Sequence, residues 1–361
     1  MGAARGGRSI AAAALVAAVL IGWPAGAADA PRRIDFRTRT MGTTATLSLV
    51  TADSAAVADL AYRALLSLHH TDSLMTNWTD TSETARINRL AGRETVRLDP
   101  EVAQVLAVAA RVGRESGGAF DLTVEPLVRL WGFLAGQPAV PDSAAIAAAR
   151  RRVGWEHLDL DAAAGTLRFT TPDARIDLGG VAKGYGVDRV AGLLRQAGVR
   201  DALIDLSGNM VALGHAPGRN DGWVLGVLDP EGSGEHLATV GLGDGAIATS
   251  GNYLQYVMAD MGGRPRRYGH ILDPRTGWPA QGVASATVIA PDATTADAWA
   301  TALVVLPPDE ARAVARAHPE LQVILVAHPA DGVQVIWVEE DLRPRVDLNP
   351  RAAARCELRS F

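Results

Sequence analysis

Cysteine is all but missing from this chain of 361 residues: Cys356 is the only one. That excludes an intramolecular disulfide framework, a cysteine-ligated zinc site and a Cys-x-x-Cys redox pair. Lysine is equally scarce. Of the 35 basic residues, Lys183 is the one lysine and all the others are arginine. Aromatic residues make up only 5% and charged residues 21%, against 48% hydrophobic. This is globular composition with enough apolar mass for a large core, and it excludes a disordered, collagen-like or coiled-coil chain. The net charge of −5 leaves no electrostatic footprint for nucleic acid. No apolar run reaches the about 20 residues that a membrane span needs.

The run that comes nearest, Ile10 to Trp23, follows Arg5 and Arg8 and precedes two small-x-small steps, Ala25-Gly-Ala27 and Ala28-Asp-Ala30. Residues 1–30 read as a secretory signal cleaved after Ala27 or Ala30, the alternative being an uncleaved N-terminal anchor. No cysteine follows that could carry a lipid, and Arg5 and Arg8 are not adjacent as a twin-arginine signal requires. The expected location is periplasmic, as a soluble protein. Residues 31–340 then form one compact catalytic unit, with or without a division into two lobes. Residues 341–361, rich in Arg and Pro, read as a loose C-terminal tail.

Within that unit, Met41 to Val50 alternates as a strand. Asp53 or Ser54 caps a helix to about His70, and Thr76 to Thr84 is a polar loop carrying Trp78. Helices are expected over about 101–116, 141–153, 181–198, 292–305 and 307–317. Strands are expected at 166–170, 175–178, 202–206, 223–227, 237–242, 268–271, 284–289, 322–327 and 333–338. Many strands follow one another through short turns, which indicates α+β with mixed or antiparallel sheets and interleaved helices, not a βαβ repeat.

Five segments carry chemistry. In Ile176-Asp-Leu-Gly-Gly-Val-Ala-Lys183 a strand runs through two glycines into a helix start, where backbone N–H groups and the helix dipole suit an anion. A cation in the first turn opposes that dipole, and Lys183 is kept against the chain's bias to Arg, so the pair points to a phosphate. The spacing is neither a P-loop nor a dinucleotide glycine motif. A tight turn with a solvated lysine is the other reading. Asp297 and Thr301 lie four apart on a helix otherwise made of Ala, Trp, Leu and Val. A buried carboxylate there needs a partner, and hard oxygens suit Mg²⁺. The alternative is a capping carboxylate and a threonine bonded to its own helix. A lone histidine is usually structural, but His270 precedes Asp273 by three residues, and an acid at that spacing could orient the imidazole or share a proton with it. Thr249-Ser-Gly-Asn-Tyr253 and Gly118-Ala-Phe-Asp-Leu-Thr-Val124 read as polar turns. Four of the five tyrosines fall between 185 and 268, a concentration that suits a planar ligand.

Together these stretches resemble the ApbE family of flavin transferases, which move FMN from FAD onto a protein threonine. The resemblance rests on Met41-Gly-Thr, Ala119-Phe-Asp-Leu-Thr-Val-Glu-Pro-Leu with Leu130-Trp-Gly-Phe, and Asp177-Leu-Gly-Gly-Val-Ala-Lys-Gly-Tyr. It also rests on Ala248-Thr-Ser-Gly-Asn-Tyr, His270-Ile-Leu-Asp-Pro-Arg-Thr-Gly, and Asp297 with Thr301, all in family order over roughly 41–306. It implies FAD as substrate, with Met41, Trp78, Ala119, Phe120, Asp121, Lys183, Thr249, Ser250 and His270 lining its site. It implies Mg²⁺ held by Asp297, Thr301 and the carbonyl of Gly180. His270 and Asp273 are the candidate bases, the favoured arrangement being His270 as base with Asp273 orienting it, and Lys183 would hold phosphate charge. The partner implied is an acceptor flavoprotein subunit of a respiratory or redox complex, outside the cytoplasmic membrane. An FAD pyrophosphatase, with water replacing threonine, and a non-catalytic FAD-binding maturation protein are the alternatives. Four places depart from the family pattern: Met75-Thr-Asn-Trp78 stands for Met-Ser-x-Tyr, Ser207-Gly-Asn209 for Gly-Gly-Asp, Asn252 for Asp, and Gly269 for a small polar residue.

Overall fold

The structure, a computed structural model, describes residues 17–18, 30–134, 136–253, 255–260, 265–329 and 332–361. The signal reading of residues 1–30 falls almost wholly outside them. The spine is a sheet of ten strands. In spatial order they are Ala17–Ala18, Arg32–Thr40, Thr43–Thr51, Ala202–Leu206, Asn209–Leu213, Gly245–Gly251, Ser285–Ala290, Gln322–Val326, Gln334–Val338 and Cys356–Ser360. All pairings are antiparallel except the last, where Cys356–Ser360 runs parallel to Gln334–Val338. Two hairpins turn through a pair of left-handed residues, Met41 and Gly42 (φ 49° and 72°) and Ser207 and Gly208 (φ 55° and 88°). That backbone matches the twist of the paired strands.

Eight helices are described: α1 (Ser54–Met75), α2 (Glu83–Leu90), α3 (Pro100–Glu115), α4 (Glu125–Leu130), α5 (Ser143–Arg150), α6 (Ala182–Gln196), α7 (Ala293–Val305) and α8 (Pro308–Ala317). α6 and α7 lie on one face of the sheet, and α1 packs on α6. The opposite face is covered by a three-stranded sheet of Trp223–Leu228, His236–Leu242 and Val346–Leu348. There Leu203, Ile247, Ile289 and Ile324 meet Trp223, Leu225 and Val240. Ser285–Ala290 is therefore buried at all six positions, and α7 at every position except Thr301. Both are covered on all sides, which is why their sequences are nearly all small and apolar.

The α+β class and the antiparallel pairing agree with the sequence reading. Several elements do not. Residues 175–178 are extended but join no sheet. Asn88 Oδ1 accepts from Ile176 N at 2.8 Å, Asn77 and Asn88 both donate to Ile176 O at 2.9 Å, and Asp177 N donates to Leu122 O at 2.7 Å. Thr249-Ser-Gly251 ends a strand and is not a turn. The strands Arg32–Thr40 and Asn209–Leu213 and the helix α2 are additional. The C-terminal segment is not loose: Leu342, Val346, Ala352 and Cys356 are buried, and two of its stretches pair as strands. Its apolar residues are spaced singly among Arg and Pro, so their shared face emerges only once the chain has folded back. No described helix is long and apolar enough to cross a membrane.

Candidate active site

The site is organised by the crossing of α6 and α7. Asp177 Oδ1 accepts from Gly179 N at 2.6 Å, closing the turn that delivers the chain to α6. The N-cap of α6 is Val181, which has no side chain to offer. Its place is taken by Asp297 of α7, whose Oδ2 accepts from Gly184 N at 3.0 Å. The exchange is mutual. Asp188 of α6 accepts from the N–H groups of Ala293 and Thr294 at 2.8 Å each, in the first turn of α7. Each helix thus caps the other with a carboxylate, where dipole and free N–H groups favour it. Gly184 makes the crossing possible, because a Cβ there would collide with the carbonyl of Ala293.

Asp297 does not cap its own helix, a task performed by Asp292 through Thr295 N at 2.7 Å. It is 2% exposed. Burial pushes its carboxyl well above the usual range, opposed by the charge of Lys183 and the N–H of Gly184. One turn on, Thr301 Oγ1 lies 3.5 Å from the Gly180 carbonyl and 3.3 Å from Ser250 Oγ. A carboxylate, two hydroxyls and a carbonyl therefore face the junction where α6 begins. Among the described residues no three His, Cys, Asp or Glu side chains cluster as a metal centre. The set here has one acid and otherwise neutral oxygens, which are hard donors of the kind that Mg²⁺ takes alongside substrate phosphates.

Lys183 is half-buried and donates to Gly179 O at 3.1 Å. Its charge reaches both Asp297 and His270. His270 follows the hairpin of Tyr256–Asp260 and Pro265–Gly269, with its N–H donating to Gln255 O at 3.1 Å and its ring edge-on to Phe133. Burial, and next the Lys183 ammonium, push its pKa down to about 4, so the imidazole is neutral near pH 7. Nδ1 lies 3.3 Å from Gln255 O. A carbonyl only accepts, so Nδ1 carries the proton and Nε2 keeps the free lone pair. The orienting group is therefore Gln255 and not Asp273. The Asp273 carboxylate is held by the backbone N–H and guanidinium of Arg275 at 2.9–3.0 Å, and it shapes the 273–278 turn.

The remaining candidates divide. Met41 N donates to Asp72 Oδ2 at 2.8 Å, and its side chain packs where the two helix-side cores meet. Trp78 is 65% exposed, on a loop anchored by Asn77 to Ile176. Ala119 and Phe120 are buried, the Phe120 ring edge lying against Gly180, so Ala119 offers a ligand backbone and little side chain. Burial raises Asp121 to about 6 while its Oδ1 accepts from Thr123 N and Oγ1 at 2.7 and 2.6 Å. Strand alternation turns Ser250 toward Thr301 and Thr249 to the other face, where its hydroxyl meets Thr287 at 2.8 Å. Of the four clustered tyrosines, Tyr185 and Tyr268 are buried in packing with the core, while Tyr253 is half-buried and Tyr256 is exposed. Beside the Trp78 loop opens a cavity of about 550 Å³ lined by Asn77, Asn88, Arg89, Arg129, Arg152 and Arg175, among others.

Comparison with known proteins decides the family. Residues 41–325 match the model of the ApbE family. The chain belongs to the ApbE family. This ApbE chain is 33% identical over 311 residues to an FAD:protein FMN transferase of Klebsiella pneumoniae, covering 84% of this chain and 87% of that protein. It is 34% identical over 261 residues to one of Treponema pallidum, covering 68% and 71%. Its fold superposes on the flavin transferase ApbE of Vibrio cholerae with a TM-score of 0.76 at 30% identity, over 87% of this chain and 99% of that one. The apo flavinyl transferase ApbE of Pseudomonas stutzeri gives 0.76 at 30%, over 87% and 97%. Sequence reasoning missed Asp188, Gly184, Asp72 and Gln255 in this ApbE site. Each acts through one long-range contact, and nothing local announces it. Only Gly184, at a helix position where glycine is costly, leaves a signal that could have been used.

Proposed function

We propose that this chain is an FAD:protein FMN transferase that moves FMN from FAD to a threonine hydroxyl of an acceptor protein and releases AMP, with Mg²⁺ as cofactor. The observation that carries the reading is the meeting of three things at one junction. These are the α6 N-terminus with Lys183, the oxygens of Asp297, Thr301 and Gly180, and a neutral His270 within range of the lysine's charge.

Asp297, Thr301 and the Gly180 carbonyl would hold Mg²⁺, which supplies charge neutralisation and Lewis acidity at a pyrophosphate. The α6 N–H groups and Lys183 bind phosphate oxygens and stabilise the charge that grows on them in the transition state. His270 Nε2 takes the proton of the acceptor hydroxyl. The Oγ–P bond to the FMN phosphate forms, the bridging P–O bond breaks and AMP leaves. A positioned base contributes about 10²–10⁴-fold. The signal reading of residues 1–30 supports action in the periplasm, on a flavoprotein subunit of a respiratory or redox complex.

The test is incubation with FAD, Mg²⁺ and a candidate acceptor domain, followed by mass spectrometry. A gain of one FMN on the acceptor is the expected result. AMP with free FMN would make the chain a pyrophosphatase, and bound but intact FAD would make it a carrier.

A further inference from the structure

We propose that Asn252 is a positioning residue that clamps the backbone on both sides of His270, and that Gly269 is glycine to admit it. This rests on the reading of His270 as the base.

Asn252 stands just past the end of Gly245–Gly251, an interior strand of the main sheet, against the last residue of the hairpin that leads into His270. Its Oδ1 accepts from Ile271 N at 2.8 Å. Its Nδ2 donates to Ile271 O at 3.4 Å and Ala280 O at 3.3 Å. Ala280 N donates to the same Ile271 carbonyl at 2.8 Å, so one carboxamide ties together the residue after His270 and the chain that returns beside it after the 273–278 turn. On the other side of His270, a Cβ on Gly269 would collide with Cγ of Asn252. The amide therefore fills the room that any other residue at 269 would need. Two positions that stand apart from the family pattern in the sequence are one contact in space.

The chemistry of the clamp requires an amide. A carboxylate could still accept from Ile271 N, but its second oxygen would face two carbonyl oxygens with no proton between them. His270 itself is otherwise fixed by Gln255, through its N–H and Nδ1. Gln255 sets the tautomer, and Asn252 sets where the backbone carries the ring. A shift of about 1 Å in a reacting group costs on the order of a hundredfold in rate.

The test compares Asn252→Asp, Asn252→Ala and Gly269→Ala, alone and combined with each other and with His270→Ala. FAD affinity is read by flavin fluorescence, turnover by AMP release from FAD and Mg²⁺ with the acceptor domain, and folding by thermal melting. Asn252→Asp is expected to leave the FAD dissociation constant within about twofold and lower kcat by at least about tenfold. In the His270→Ala background it is expected to cost nothing more. Gly269→Ala is expected to slow the wild type but not Asn252→Ala, where the space is free. If Asn252→Asp fails to fold, Asn252→Ala answers the same question without adding a charge. A loss of FAD affinity that parallels the loss of kcat, or a second loss of the same size on top of His270→Ala, overturns the clamp. A fully active His270→Ala instead rejects the base assignment on which the clamp rests.

Discussion

Burying the carboxylate of Asp297 costs folding energy when only one N–H and a nearby ammonium answer it. Its raised pKa states the same cost: the ionised form opposes folding, and Mg²⁺ held there as proposed would compete with protons from above the ordinary carboxylate range. Asp297→Asn keeps an oxygen for Gly184 N and removes the charge. Without metal the variant is expected to melt at the same or a higher temperature than wild type. Wild type at a hundredfold excess of Mg²⁺ over its dissociation constant gains about 2.7 kcal/mol, and the variant is expected to gain nothing and to cleave no FAD. A metal-induced rise in the variant's melting temperature would refute the assignment. His270 carries a second expectation. Its folded pKa lies near 4, below the ordinary 6.5, so the native state binds fewer protons than the unfolded one between those values. Its contribution to stability is therefore lost as pH falls through that window. At saturating Mg²⁺ the acid limb of kcat/KM is expected near 4, and a limb near 6.5 would mean that the ring is not so placed in the working enzyme.

At the scale of elements, the site depends on how closely α6 and α7 cross. Gly184→Ala drives a methyl into the Ala293 carbonyl, and such overpacking costs about 1–3 kcal/mol. It also pushes Asp297 away from Thr301 and Gly180, so Mg²⁺ affinity is expected to fall with stability. Gly192 lies in the same helix with no atom near its missing Cβ. Gly192→Ala is expected to stabilise by roughly 0.5–1 kcal/mol and leave the metal untouched. Chemical denaturation of the two variants side by side makes the comparison, and equal effects would mean that the crossing is not tight. Helices such as α1, α3 and α7 were legible because caps, Pro and Ala/Leu spacing act within one turn. Asp53, Asp99 and Asp292 each accept from N–H groups two or three residues on. The run 175–178 is no strand because strand propensity says nothing about whether a partner strand exists, and its partners are the side chains of Asn77 and Asn88 and the carbonyl of Leu122.

Taken whole, the molecule is three layers, and its last 21 residues belong to two of them. Val346–Leu348 extends the small sheet, Cys356–Ser360 covers the edge strand Gln334–Val338, and Arg355 holds Asp229 at 2.7 Å. Removing residues 341–361 uncovers an apolar strand edge and the core behind it. The truncated chain is expected to melt several degrees lower and to aggregate on warming, while FAD affinity of the folded fraction is kept. Light scattering during a thermal ramp gives the answer, and an unchanged profile would mean that the segment is dispensable. The family match ends at residue 325, so these 21 residues lie outside the matched region.

The α+β class, the helices with local caps, the motif order and the identity of Lys183, His270, Asp297 and Thr301 as candidates were determined by the sequence alone. Those features rest on interactions between residues a few positions apart, or on residue types whose chemistry is scarce elsewhere in the chain. Only the tertiary structure decided that Asp297 caps α6 and not α7, that Gln255 orients His270 while Asp273 serves its own turn, and that Ser250 and Thr249 face opposite ways. It alone decided that the C-terminal segment is built into two sheets. Each of these depends on which surfaces meet, and that is set by the packing of the sheet and helices together, which no short window of sequence contains.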